Sequence, residues 1–134
     1  MHITQETDYA VRIVYCLANS DGRKDARNIS EEMGVTLRFS LKILHKLVQA
    51  GIVKSYKGSK GGYELANPAS EVNLKQVIEA IEGTTYRLAK CMDPEYCCEW
   101  KDKMAPGVCS FRREFTRISK YVNEELEKVT FDKL

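Results

Sequence analysis

Apolar side chains recur at three- and four-residue spacing in five segments of the chain, which is the pattern of helices with one buried face. The pattern predicts helices over residues 6–19, 26–33, 36–50, 73–83 and 110–128. Residues suited to capping or stopping a helix mark the ends: Thr4, Asp25, Thr36 and Asn73 at the starts, and Gly34, Gly51 and Gly83 at the finishes. The chain is therefore expected to be mainly α-helical.

The helical pattern is interrupted between the third and fourth predicted helices. Residues 52–56 and 63–65 predict two short strands, and the glycine-rich segment 57–62 predicts the turn of a β-hairpin. Two short helices around Gly34 and Val35, followed by a hairpin, have the order of a winged helix-turn-helix. We therefore expect this module over residues 1–66. A bridging helix, a cysteine-rich loop at about 91–109 and a long C-terminal helix make up residues 67–134.

The third predicted helix has two different faces. One face is apolar and is expected to lie in the core; it contains Leu37, Leu41, Leu44 and Val48, widened by Ile43 and Leu47. The other is polar and is expected to face solvent; it contains Arg38, Lys42, His45 and Gln49. This arrangement predicts a helix that is held by the core and presents basic side chains outward.

The net charge of +2 is small for 134 residues, but the charge is unevenly distributed. The window from Met33 to Tyr63 contains no acidic residue and six basic ones, Arg38, Lys42, Lys46, Lys54, Lys57 and Lys60. A local concentration of cations on a nearly neutral chain favours a polyanionic partner. Together with the order of the helices, it predicts binding to double-stranded DNA rather than a merely solvated helix face.

In a winged helix-turn-helix the second helix of the motif enters the major groove, and the hairpin approaches the backbone or the minor groove. Arg38 and Lys42 are placed to reach base edges. Thr36 and Ser40 are expected to contact phosphate near the helix N-terminus, where phosphate binds well. His45 is given no role. The predicted DNA contacts are Thr36, Arg38, Ser40, Lys42, Lys57, Ser59 and Lys60.

The sequence has no apolar run near the roughly 18 residues of a membrane span, and its N-terminus lacks the features of a signal peptide. A cytoplasmic protein is therefore expected, in which thiols stay reduced. The chain has two histidines and no visible pairing of a nucleophile with a base, so an enzyme is not expected.

Four of the five cysteines, Cys91, Cys97, Cys98 and Cys109, are crowded into the predicted loop. Their spacing lacks the C-x₂-C pairs that zinc sites favour, whereas iron–sulfur clusters accept irregularly spaced thiolates. The spacing thus favours a cluster. The alternative is a zinc site or free redox thiols, in a winged-helix regulator or in a module that uses its winged helix to bind protein. Cys16, on an apolar helix face, is expected to be a small buried residue.

Several motifs of this chain resemble those of the Rrf2 family of bacterial transcription regulators, of the IscR and NsrR type. They are Ile29-Ser30-Glu31-Glu32-Met33-Gly34-Val35, Lys57-Gly58-Ser59-Lys60-Gly61-Gly62-Tyr63 and Val77-Ile78-Glu79-Ala80-Ile81-Glu82-Gly83, with the cysteines downstream. The resemblance implies a homodimer held by the last helix and a [2Fe–2S] or [4Fe–4S] cluster. The cluster would tune affinity for a palindromic operator, in repression or activation and in response to redox state or another signal.

The resemblance also implies a set of cluster ligands. Cys91, Cys97 and Cys109 correspond to the three cysteines of the family, and Cys98 is an addition that is an alternative to Cys97. The histidine ligand of IscR-like members is replaced by Arg112. As in NsrR-like members, Asp8 of the partner's first helix is therefore expected as the fourth ligand, with Glu6 and Cys98 as rivals.

Overall fold

The helices and strands lie close to their predicted positions in a computed structural model of the chain, which describes residues 2–100 and 109–134. The helices are α1 (Gln5–Ala18), α2 (Ala26–Met33), α3 (Leu37–Gln49), α4 (Leu74–Glu82) and α5 (Ser110–Lys128), and the strands are β1 (Val53–Tyr56) and β2 (Gly62–Leu65). The mainly α-helical class is confirmed. No helix in these ranges combines the length and apolar character needed to cross a membrane.

Helix α1 lies at the centre of the fold, because α2, α3, α4 and β2 all pack against it. Its side chains Ala10, Ile13, Val14 and Leu17 are buried and join residues of the other elements in one apolar core. Burying a large apolar side chain stabilises a fold by about 1.5–3 kcal/mol. The buried face of α1 therefore joins the helix-turn-helix, the hairpin and α4 into one unit.

Local signals place the helix ends where the sequence predicts them. The side chains of Thr4, Asp25 and Thr36 each accept a hydrogen bond from a backbone N–H in the first turn of the helix that follows. Asn73 does the same within a capping box. Gly34 ends α2 in the left-handed region at φ 65°, which turns the chain sharply into α3.

The buried face of α3 differs from the predicted one. Ile43, Leu44 and Leu47 are buried, whereas Leu37 and Leu41 are 37% and 45% exposed. The prediction that Leu37 and Leu41 face the core was wrong. Apolar residues cover so much of this helix that its sequence leaves open which side is buried, and packing against α1 and α4 decides it.

The hairpin is joined at its second strand to the loop between α1 and α2. Its strands run antiparallel and pair Val53 with Leu65. The backbone of Tyr63 exchanges two hydrogen bonds with that of Lys24, at 3.0 and 2.8 Å. Gly62 permits this approach because a Cβ there would lie 2.9 Å from the carbonyl oxygen of Lys24. The base of the hairpin, which is the wing of the fold, is thus fixed to the α1–α2 loop.

A polar contact joins the start of α1 to the end of α4. The hydroxyls of Thr4 and Thr7 both donate to Oε1 of Glu82, with a Thr4–Glu82 distance of 2.6 Å. These two hydrogen bonds hold the pKa of the Glu82 carboxyl below its ordinary value. Because Thr7 is fully buried, its hydroxyl needs a partner inside the protein. The contact therefore fixes the first turn of α1 relative to α4.

The chain after α5 returns to the start of α4, which the sequence pattern did not predict. The N–H of Leu74 donates to the carbonyl of Val129 and that of Phe131 to the carbonyl of Val72, both at 3.0 Å. Phe131 is 2% exposed and belongs to the main core. The C-terminal segment is therefore held in the core by one aromatic side chain. The proposed division between residues 66 and 67 stays a prediction.

We predict that Phe131→Ala lowers the free energy of unfolding by about 3–5 kcal/mol, because it leaves a cavity in the core. Leu134→Ala is the matched control, since Leu134 follows in the same segment but is 54% exposed. Urea denaturation followed by circular dichroism at one protein concentration compares the two. Equal losses in both variants would contradict the buried position of Phe131.

Candidate nucleic-acid interface and cysteine loop

The exposed face of α3 carries basic and apolar side chains together. Arg38, Lys42 and His45 are exposed, and Leu37 and Leu41 lie beside them on the same side. In the major groove, arginine and lysine bind guanine, and apolar side chains contact the methyl group of thymine. The face is therefore suited to reading base edges, and the assignment of Arg38 and Lys42 to this role stays a prediction.

The two predicted phosphate contacts on α3 lie in different environments. Thr36 is exposed at the N-cap, where its hydroxyl oxygen accepts the N–H of Phe39 at 3.3 Å. Ser40 has no exposed surface, and its Oγ has no hydrogen-bond partner within the described ranges. The prediction that Ser40 binds phosphate is wrong, because this residue lies on the packed face of α3.

The tip of the hairpin presents the other predicted contacts. Lys57, Ser59 and Lys60 are all exposed. Beside them, the guanidinium carbon of Arg23 lies 3.4 Å from the centroid of the Tyr56 ring, and Nη1 donates to the carbonyl of Lys60 at 3.3 Å. Arg23 was not among the predicted contacts, because it lies far from the hairpin along the chain and no local pattern marks it.

An acidic side chain of α1 lies against the basic surface of α3, although the sequence from Met33 to Tyr63 contains no acidic residue. Oε1 of Glu6, on α1, lies 2.8 Å from Nζ of Lys46 and 3.4 Å from Nζ of Lys42. The ammonium group of Lys46, reinforced by that of Lys42, holds the pKa of Glu6 below its ordinary value. The ionised carboxylate therefore neutralises part of the α3 surface.

Two of the clustered cysteines are fixed to α5. Cys91 lies in a 3₁₀ turn packed on this helix, where Sδ of Met92 accepts a hydrogen bond from Ser119 at 3.2 Å. Cys109 is the N-cap of the helix, and its Sγ accepts the N–H of Arg112 at 3.5 Å. The positions of the first and last cysteines of the loop therefore depend on α5.

Cys97 is exposed and Cys98 is half-buried, and all five cysteines are free thiols. Residues 101–108 of the predicted ligand loop lie outside the described residues. Within residues 2–100 and 109–134 of one chain, no three histidine, cysteine or acidic side chains are grouped closely enough to hold a metal ion. The thiols suit an iron–sulfur cluster by chemical type. Within the described residues of a single chain, these thiols do not lie close enough together to bind one.

The carboxylates considered as a further ligand have other partners. Oδ2 of Asp8 lies 2.7 Å from the guanidinium of Arg12, and both side chains are partly exposed. Glu6 is held by Lys42 and Lys46. Asp8 is therefore the more accessible of the two to a second chain.

Cys16 is buried, as predicted. Burial, together with a hydrogen bond from its thiol to Glu32, raises the pKa of Cys16. Nζ of Lys24 completes this group at 3.7 Å from the sulfur. A protonated, buried thiol is a poor nucleophile and a poor metal ligand, so Cys16 serves the packing of α1.

Residues 3–134 match the family model of Rrf2, described as an iron-dependent transcriptional regulator. Protein aau3 of Rhizobium meliloti (strain 1021) is 37% identical over 94 residues, which make up 69% of this chain and 60% of that protein. The match thus spans less than two thirds of that relative's length.

Two solved structures show a similar fold. CymR, the global cysteine regulator of B. subtilis, has a TM-score of 0.77 and 22% identity, covering 98% of this chain and 94% of that one. IscR of T. potens has a TM-score of 0.76 and 20% identity, covering 98% and 84%. These similarities confirm the predicted winged-helix fold.

We predict that Glu6→Gln strengthens binding to duplex DNA by up to about fivefold, because it frees Lys42 and Lys46 from a partly exposed ion pair. Fluorescence anisotropy with labelled duplexes measures the change. Glu71→Gln is the control, since it removes the same charge from an exposed position outside this surface. An equal gain in the control would show that net charge alone is responsible.

Proposed function

We propose that this chain, which belongs to the Rrf2 family of transcriptional regulators, binds a palindromic operator as a homodimer and is controlled by an iron–sulfur cluster. Members of this family are DNA-binding regulators rather than enzymes. The observation that carries the proposal is the exposed face of α3 with Arg38 and Lys42, placed beside a basic wing.

The proposed docking follows from these positions. Helix α3 enters the major groove, where Arg38 is the side chain best suited to bind a guanine edge. Thr36 and the N-terminus of α3 lie against a phosphate. Lys57 and Lys60 contact the backbone or the minor groove from the wing.

The surface of α5 supports the proposed homodimer. Phe111, Ile118 and Tyr121 are exposed along one side of the helix, whereas Ser119, on another side, is buried against the loop before it. A helix this long with an uncovered apolar side fits the pairing of two copies. In such a dimer, the two α3 helices read half-sites about 34–36 Å apart.

Cys91, Cys97 and Cys109 are the proposed thiolate ligands, and the partner subunit supplies Asp8 as the fourth. Cys91 and Cys109 would hold the cluster against α5, and the thiol of Cys97 is exposed and accessible to it. When bound, the cluster supplies a centre sensitive to redox state and to small ligands. A hard carboxylate binds iron more weakly than a thiolate, which suits a sensor.

The DNA-binding proposal predicts different defects for the two kinds of contact. Arg38→Ala should lose about 1–3 kcal/mol of discrimination between the operator and a mismatched duplex. Lys60→Ala should weaken all duplexes alike and reduce the slope of log affinity against log salt by about one. Anisotropy titrations at several salt concentrations, on an operator selected from random duplexes, measure both. Negligible effects in both variants would reject this docking.

The cluster proposal predicts that the anaerobically purified protein is brown and absorbs visible light. Cys97→Ser should abolish this absorbance, whereas Cys98→Ser, the control at the adjacent position, should retain it. Mössbauer spectra distinguish a [2Fe–2S] from a [4Fe–4S] cluster, and Asp8→Ala should change them.

A colourless protein with one zinc per chain would instead establish the zinc alternative. A colourless Cys98→Ser variant beside a brown Cys97→Ser variant would exchange the two assignments.

A further inference from the structure

Arg23 joins the α1–α2 loop to the tip of the wing through two contacts. Its guanidinium lies over the ring of Tyr56, with 3.4 Å between its central carbon and the ring centroid, and Nη1 donates to the carbonyl of Lys60 at 3.3 Å. Tyr56 directly precedes Lys57 in the chain. One guanidinium therefore contacts the hairpin both at the residue before Lys57 and at Lys60 itself.

The aromatic ring is itself held in place. The hydroxyl of Tyr56 donates to Oε1 of Glu64 on the neighbouring strand at 2.7 Å. At the base of the wing, the Lys24–Tyr63 backbone pair joins the same loop to β2. The wing is thus attached to the α1–α2 loop at its base by backbone and near its tip by Arg23.

The contacts near the tip matter because the hairpin is small. Two strands of four residues are marginally stable by themselves in water. Lysines on a mobile tip lose conformational freedom when they bind, which weakens the complex, whereas a tip ordered in advance avoids that cost.

We infer that Arg23 is a positioning residue for DNA binding, which orders the wing so that Lys57 and Lys60 meet the duplex together. The inference rests on the proposed function for its effect on DNA, but the ordering of the wing is a property of the free protein. A planar guanidinium stacks on a ring and donates to a carbonyl at the same time, and a lysine ammonium does not reproduce this geometry.

Arg23→Lys tests the inference because it keeps the charge and removes the stacked geometry. It should weaken operator binding roughly fivefold while leaving the salt slope unchanged. Tyr56→Leu should have a similar effect, whereas Tyr56→Phe, which keeps the stacked ring and loses only the bond to Glu64, should weaken binding less than Tyr56→Leu does. Lys60→Ala should cost less in the Arg23→Lys background than in the unmodified protein, because contacts that depend on one ordered wing are not additive.

Hydrogen exchange in the absence of DNA gives an independent readout. The amide of Gly61 donates to the carbonyl of Gly58 at 2.9 Å and should exchange faster in Arg23→Lys. The amide of Phe131, far from the wing in sequence and in the core, should be unchanged.

Three results would overturn the inference. In the first, Arg23→Lys binds as the unmodified protein does while Arg23→Ala lowers the salt slope by about one, as for a direct phosphate contact. In the second, Arg23→Lys lowers the free energy of unfolding without changing DNA affinity or the rate of hydrogen exchange in the wing. In the third, the effects of Arg23→Lys and Lys60→Ala are additive. Failure of the unmodified protein to bind any duplex would instead reject the proposed function, and the exchange data would still decide whether Arg23 orders the wing.

Discussion

Burial of one face of α1 is the constraint on which the rest of the structure depends. Helices α2, α3 and α4 and strand β2 all pack against this helix. The side chains that hold them, among them Ile13 and Val14, have no exposed surface. Because interiors are close-packed, such elements do not shift independently. The exposed face of α3 and the base of the wing are therefore held in fixed positions relative to each other.

The first turn of α1 makes polar contacts with both α4 and α3. Thr4 and Thr7 bind Glu82 of α4, and Glu6 binds two lysines of α3. Asp8 follows within the same turn and has one exposed partner, Arg12. Any group that binds Asp8 therefore acts on the same turn that places Glu6 beside the lysines of α3. The coupling needs no long pathway, since these side chains are neighbours on one element.

The sequence was sufficient where the physics is local. Caps such as Asp25 and the left-handed Gly34 determine helix ends within a few residues, so the element order and the winged-helix fold were predictable. The buried side of α3 was not predictable, because it depends on how the neighbouring helices pack against it. The role of Ser40 was predicted wrongly for the same reason. Contacts between distant segments, such as Arg23 with Tyr56 and the burial of Phe131, left no local pattern.

The cysteine loop depends on α5 in a way that connects its chemistry to assembly. The turn that contains Cys91 is held by a hydrogen bond from Ser119 to Met92. Cys109 caps the same helix, and Phe111, two residues after it, is exposed. Covering the apolar side of α5 with a second copy would therefore restrain the loop at the cysteines themselves. Coupling between two binding events is reciprocal. If pairing of α5 favours the gathering of the thiols, a group that gathers them favours the pairing by the same factor.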